Sequence, residues 1–579
     1  MLTTEPGSRS RALVGGFVGL LVGVVVLNSV LLPGYTWFYD LVFVPDLPWS
    51  DRTLGNDGSV PRAVPTDAVV ALLERLVPGD VVQAVLLMAV FIVAGAGCGR
   101  LCRTRLGAAA AAVAACWNPY VVERLVIGHW SFLLGYAALP WIHAAGRDVA
   151  AGRLGARPRL LGWLVLAGLA GSTSGLIAAL VAVMAVAFGG AGGVRAVAGR
   201  VGAVLIVTAA VGAAWLVPSL TRTGGVPADP AGVDAFAARA DSPWGTWGSL
   251  LTGGGIWHEP SWPGSRGSVV TVGAALLVVI AVLAICARAG RLRDLLPLAV
   301  AGGIGLLVAG ASSLPGGDDL VRRVVTDVPG GGLVRDGQKL VAPFVALIAV
   351  SGGRAVEILA GTARPVGRRR DVLRIAGVAL LVAPVATLPD APATGAAMGS
   401  VSLSSDVLRA RAYLDDAAPG GVAVLPWTLY RRFDWNDNRV SLDPWNRLLD
   451  RRVVVDDDLP LSTVTVRGED PVAADIGRAV DDPSTDLPAA LRAEGVRWVV
   501  LHTDQPGSAA AAERLSGLPR RTFGAVVVVD LGRPARVAST QTSMIPVVVT
   551  GMVAVFGLGA WVGAALRGRR RRAASSTVG

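Results

Sequence analysis

The residues best suited to chemistry crowd a short stretch that follows the first long apolar run, Ala12 to Leu32. The stretch opens PGYTWFYDLVFVPDLPW and carries Asp40, Asp46, Asp51, Asp57 and Asp67, with Arg52 and Arg62. Tyr35, Trp37, Phe38, Tyr39 and Trp49 surround the first two carboxylates. A carboxylate close to a membrane exit, held by aromatic side chains of the interfacial belt, can reach a lipid headgroup. Asp40 is therefore expected at the mouth of a site for a lipid-linked substrate, with Asp46 as the rival acid.

Three further sets of ionisable residues fall between later apolar runs. WNPYVVERLVIGHW supplies Glu123, Arg124 and His129. A long tryptophan-rich loop supplies Asp234, Arg239, Asp241, His258, Glu259 and Arg266, with Trp244, Trp247, Trp257 and Trp262. A third loop supplies Asp318, Asp319, Arg322, Arg323, Arg335, Asp336 and Lys339, the chain's single lysine. Counting spans puts all of them on the side of Asp40. Sugar transfer from a lipid-phosphate donor suits such a mixture. It needs a carboxylate to take the acceptor hydroxyl proton. It needs cations to hold the leaving phosphate, and aromatic faces suit sugar rings. The leaving phosphate is a stable anion, so no general acid is required.

On this reading Asp40 or Asp46 is the base. Arg335 and Lys339, spaced i,i+4, present one helical face to the donor phosphate, beside Arg124 and His129. Glu123, Arg62, Trp257, His258 and Trp262 face the acceptor and its sugar. Plainer roles compete. Asp40 also reads as an interface residue, Glu123 and Arg124 as a local pair closing a turn, and the tryptophans as a membrane belt. Cys98 and Cys102 lack the partners of a zinc site. No metal ligand is assigned, and a need for a divalent ion is left open.

The elements that must position these groups are apolar. Of 579 residues, 53% are hydrophobic and only 16% charged, and the mean hydropathy is +0.56. Many runs approach the ~20 residues that span a bilayer. The net charge of +11 does not point to nucleic acid. Its arginines cluster in alternate loops, at 100–105, 147–159, 195–200, 288–293, 364–370 and 567–572, which is the positive-inside pattern of a polytopic protein. The pattern predicts about twelve transmembrane helices with both termini cytoplasmic. The first run reads as a span, not a cleaved leader.

The spans are expected near 12–33, 80–98, 106–122, 130–146, a hairpin within 160–190, 201–218, 268–287, 295–312, 339–360, 373–389 and 543–566. Residues 1–389 thus form a membrane core with its first outer loop at 34–79. Val69, Leu72, Leu73 and Leu76 predict an interfacial helix within that loop. Residues 390–542 alternate strand-like text (VAVLPW, RWVVLHTD, AVVVVDLG) with helical text, which predicts a small extracytoplasmic α/β domain. They hold no GxGxxG or P-loop signature. Residues 543–579 are the last span and a basic tail.

The order of parts resembles the GT-C class of membrane glycosyltransferases. Asp40 in WFYDLVF and the helix at 67–77 match that layout, and WNPYVVERLVIGHWSFLLGYAALPW is similar to a turn of actinobacterial arabinofuranosyltransferases. LVRDGQKLVAPF, VLPWTLYRRFDWNDNR and GVRWVVLHTD resemble further segments of those proteins. The resemblance implies inverting transfer of arabinofuranose or mannose from a polyprenyl-phosphate donor, with Asp40 as base. The partners would be that donor and a cell-envelope glycan or glycolipid at the plasma membrane. Two other classes remain: a lipid-linked glycan transporter, which calls for inverted repeats and midplane charge, and a non-catalytic assembly protein.

Overall fold

The structure is a computed structural model that describes residues 7–188, 190, 192–221, 229–328, 330–361, 368–461, 464–534 and 544–576. Arg364, in one of the basic clusters, lies outside them. Where the described residues cover them, the apolar runs marked above fall mainly on helical structure. Among the described residues, seven helical segments are long and apolar enough to cross a membrane: Ser8–Leu31, Gly79–Arg100, Val194–Val211, Val269–Arg288, Arg293–Ser313, Gly337–Gly361 and Ile545–Arg567. The run 160–190 divides into Ala156–Leu169 and Ser172–Phe188, with the turn at Ala170 and Gly171. Each half is shorter than a full span.

Small residues set how closely the core helices pack. Ser8–Leu27 lies along Gly79–Arg100, where a Cβ on Gly15 would stand 2.3 Å from the Gly95 carbonyl oxygen. A Cβ on Gly95 would stand 2.4 Å from that of Gly15. Glycines four apart on both helices (15 and 19, 95 and 99) let the two backbones touch, the usual device for helices that lipid cannot drive together. At the basic end, Arg354 forms two 2.7 Å hydrogen bonds to Asp294. Glu357 there accepts from the Thr104 N–H at the start of Arg105–Cys116, satisfying a donor that the helix itself leaves free.

The segment after Arg368–Thr387 builds one mixed sheet. Its strand order is Arg520–Phe523, Val526–Asp530, Val496–His502, Gly421–Leu425, Val453–Val454. The central pair, Gly421–Leu425 with Val496–His502, is parallel, and Val526–Asp530 joins it antiparallel. Both of those central strands are apolar on each face and buried, as sheets covered on two sides must be. A hairpin outside this sheet, Tyr430–Arg432 with Val440–Leu442, reaches the loop at 34–79.

Candidate active site

Asp40 lies in the turn of a tight hairpin. Trp37–Phe38 pairs antiparallel with Leu41–Val42, so Tyr39 and Asp40 make the connection. Tyr39 has φ 48°, a left-handed conformation uncommon outside glycine but suited to a two-residue hairpin turn. It is held from both sides. Its N–H donates to the Val440 carbonyl at 2.7 Å, and its own carbonyl accepts from Leu442 N–H at 2.9 Å. The Asp40 N–H donates to the Ile127 carbonyl at 3.2 Å. Gly128 (φ 91°) lies against the same backbone, where a Cβ would stand 2.2 Å from Leu41 N. No other residue fits there.

The carboxylate faces two groups. Tyr430 donates its hydroxyl to Asp40 Oδ1 at 2.7 Å. His129 Nε2 stands 3.7 Å from Oδ2. The His129 tautomer follows from its other nitrogen. Arg124 Nη1 lies 2.9 Å from His129 Nδ1, and a guanidinium can only donate. Nδ1 therefore accepts, and Nε2 carries the proton that points at Asp40. Burial pushes the Asp40 pKa up, but His129, the Tyr430 bond and the nearby Lys339 charge outweigh it, so the group titrates below its ordinary value. Burial and the Lys339 charge push His129 down to about 4. At neutral pH the pair is a carboxylate beside a neutral imidazole.

Arg124 is the hub of this arrangement. It sits on the short helix Pro119–Val126, started by Pro119 and capped by Asn118, whose side chain accepts from Val121 N–H. Its guanidinium is fully buried and forms a bidentate pair with Asp336 at 2.8 and 2.9 Å. Its Nε donates to Gln338 Oε1 at 2.9 Å. The fork is thus consumed by protein partners, and the structure makes Arg124 a group that positions His129 and Asp336, not one turned to a phosphate. Lys339 is largely buried, its side chain 20% exposed, with Nζ 3.3 Å from Asp336, and it lies over the Phe132 ring at 5.9 Å.

The expected i,i+4 face of Arg335 and Lys339 does not form. Gly331–Val334 and Gly337–Val341 are separate 3₁₀ turns, broken at Asp336, and the α-helix begins only at Ala342. Glycines at 330, 331, 332 and 337 weaken helix there. Arg335 turns instead to Glu469 at 3.3 Å and lies over the Phe236 ring.

Glu123 follows the same logic. One residue along a helix is a rotation of about 100°, so Glu123 and Arg124 serve different partners. Glu123 is fully buried and accepts from Ile256 N–H at 3.2 Å. Its other oxygen has no ordinary donor but adjoins Asp241, whose carboxylate is held by Arg266 through two 2.9 Å bonds. Burial and the Asp241 charge push the Glu123 pKa well above its usual value. The protonated form of Glu123 is thereby favoured, and the side chain, enclosed by protein, fixes the loop at 253–256 and is not turned to an acceptor. Glu123→Gln, neutral and isosteric, is expected to shift stability by less than ~1 kcal/mol, whereas Glu123→Ala strands buried polar groups and costs ~1–3 kcal/mol. Thermal unfolding of the two variants in detergent checks this.

That loop delivers His258 and Trp257. His258 meets the Tyr39 ring edge-on at 4.5 Å and Trp257 at 5.4 Å, and Trp257 meets Phe236 at 4.8 Å. The result is an aromatic wall running from Asp40 toward Arg335. Trp262 donates to the Ile256 carbonyl at 2.8 Å and braces the loop. Two expected residues stand elsewhere. Asp46 is exposed and engages Arg411 at 3.4 Å; exposed Arg62 engages Asp457 at 3.7 Å. Among the described residues no group of three or more His, Cys, Asp or Glu side chains is placed to hold a metal. Sequence reasoning did not single out Tyr430, Gln338 or Gly128. Only the left-handed glycine before His129 left a local trace.

No protein-family model matches this chain. No curated protein does either. Its fold is similar to that of the arabinofuranosyltransferase AftD from Mycobacteria, solved by single-particle cryo-EM, with a TM-score of 0.54 and 18% identity. The match covers 93% of this chain and 41% of that one. A mutant form of the same protein gives 0.54 and 18%, over 92% and 42%. The chain thus spans about two fifths of the length of the proteins it matches. With seven helical segments apolar enough to cross a bilayer and this likeness, it is a multi-pass membrane protein with an arabinofuranosyltransferase-like fold.

Proposed function

We propose that the protein is a membrane glycosyltransferase. It moves a sugar, arabinofuranose or mannose, from a polyprenyl-phosphate donor to a glycan or glycolipid of the cell envelope, on the outer face of the plasma membrane. The observation that carries this is the half-buried Asp40 carboxylate, ionised at neutral pH beside the Lys339 ammonium and the aromatic wall. Asp40 takes the proton of the acceptor hydroxyl. The acceptor oxygen bonds to the anomeric carbon as the bond from that carbon to the phosphate oxygen breaks. The electron pair leaves with the polyprenyl phosphate, and one displacement inverts the anomeric centre. Lys339 keeps N–H donors beyond its Asp336 pair for the departing phosphate. Trp257 and His258 offer faces to the acceptor sugars. The fold likeness to AftD supports this class of reaction.

The test uses the purified protein in vesicles with radiolabelled polyprenyl-phosphate arabinofuranose or mannose and glycan acceptors. Labelled glycan and free polyprenyl phosphate are expected from one of the donors. Movement of intact donor across the bilayer without labelled glycan replaces this reading with transport.

The pH dependence follows from the same groups. The base works ionised, and its folded pKa is depressed, so activity is lost only as pH falls through a value below the ordinary carboxylate range. His129, pushed down to about 4, stays neutral above that. The acid side of the kcat/KM profile is therefore expected to be flat from pH 8 to about 5. A limb near pH 6.5 would contradict the neutral His129.

A further inference from the structure

We infer that Tyr430, on the segment beyond the core helices, is a positioning residue for Asp40. The inference rests on Asp40 as the base. Tyr430 lies 390 positions along the chain from Asp40, yet one hairpin aims the phenol and shapes the turn that carries the carboxylate. Tyr430 pairs with Leu442, and the Leu442 N–H is the donor to the Tyr39 carbonyl at 2.9 Å. The Tyr39 and Tyr430 rings meet edge-on at 6.4 Å. The left-handed turn at Tyr39 and the hydroxyl on Asp40 Oδ1 thus share one support.

That support is stiff. Arg431, the next residue on that strand, is fully buried with Asp443 at 2.5 Å and donates to the Pro426 carbonyl at 2.8 Å. Gln505 donates to the Arg432 carbonyl at 2.7 Å. Asn436 donates to the Trp37 carbonyl at 2.9 Å, tying the hairpin to the strand before Asp40. Burial and the Asp40 charge push the Tyr430 pKa well up, so the hydroxyl keeps its proton and remains a donor. With Oδ1 held by Tyr430 and Oδ2 facing His129, the carboxylate plane is fixed before any substrate arrives. A hydrogen bond to the charged form also lowers its basicity. Tyr430 touches the base and needs no contact with the sugar.

The test is Tyr430→Phe, which removes one oxygen and keeps the ring. The Asp40 side chain is 35% exposed, and carbodiimide modifies only protonated carboxyls. Labelling of the Asp40 peptide against pH, read by mass spectrometry on the full-length detergent-purified protein, reports its titration without turnover. The midpoint is expected to rise by about half to one pH unit in the variant. In the transfer assay, kcat is expected to fall roughly 5–30-fold, with donor KM unchanged. An unmoved labelling midpoint in a variant that elutes as a single folded species overturns the positioning role. Full transfer by Asp40→Asn overturns the base assignment instead, and leaves the labelling result to stand for the hydrogen bond alone.

Discussion

Asp40→Asn is expected to lower sugar transfer by ~10²–10⁴-fold while leaving expression and donor KM near those of the parent protein. The change is isosteric and removes the charge. The amide oxygen can still accept from Tyr430, which donates to Oδ1 at 2.7 Å, so the turn keeps its shape. The amide nitrogen then faces the His129 Nε2–H, donor against donor, which the 3.7 Å gap tolerates. What is lost is the ability to take a proton. Asp46→Asn is the matched control. Asp46 is exposed and its partner Arg411 stands at 3.4 Å, and such surface pairs contribute ~0–1 kcal/mol. Transfer by Asp46→Asn is expected to stay within a few-fold of the parent. The reverse result, with Asp46→Asn dead and Asp40→Asn active, assigns the base to Asp46.

Arg124→Ala is expected to be the most destabilising single change near the site, at ~3–5 kcal/mol. The guanidinium is fully buried and makes bonds of 2.8 and 2.9 Å to Asp336. Removing it leaves a buried carboxylate whose ion-pair partner among the described residues is Lys339, at 3.3 Å. Asp336→Ala leaves the cation stranded in turn. The double variant is expected to be more stable than the sum of the two losses, with a coupling of ~1–3 kcal/mol, because neither charge is then alone. Thermal unfolding of all four proteins in one detergent measures the cycle. Additive losses would mean that the pair is not coupled. Activity is not expected to return in the double variant, since His129 loses the donor that sets its tautomer.

Much of this arrangement is written locally in the chain. Asp40 stands out because acid, aromatics and the end of an apolar run occur together within a few residues. The apolar runs mark helices since lipid-facing and buried surfaces are both apolar. The strands around Val424, Val500 and Val528 are legible from short apolar runs rich in valine. Partnership is what the sequence hides. Arg124 reads as a free cation until Asp336, 212 positions on, takes both arms of its fork. Glu123 reads as an acceptor-facing acid or the partner of Arg124 until the Ile256 N–H and Asp241, both far along the chain, enclose it. Arg335 and Lys339 share a helical spacing on paper, but the glycines around them set 3₁₀ turns. Tyr430 carries no local mark, because its importance is a distance to a residue near the other terminus.

That long separation bears on how the protein is made. The ribosome must deliver another 390 residues after Asp40 before its tyrosine partner exists, which at ordinary elongation rates takes roughly 20–80 s. Throughout that interval the core helices are inserting while Asp40 has neither its hydroxyl partner nor the backbone support of its turn. The surroundings of Asp40 therefore close late, when the hairpin at 430–442 docks against the turn that carries it.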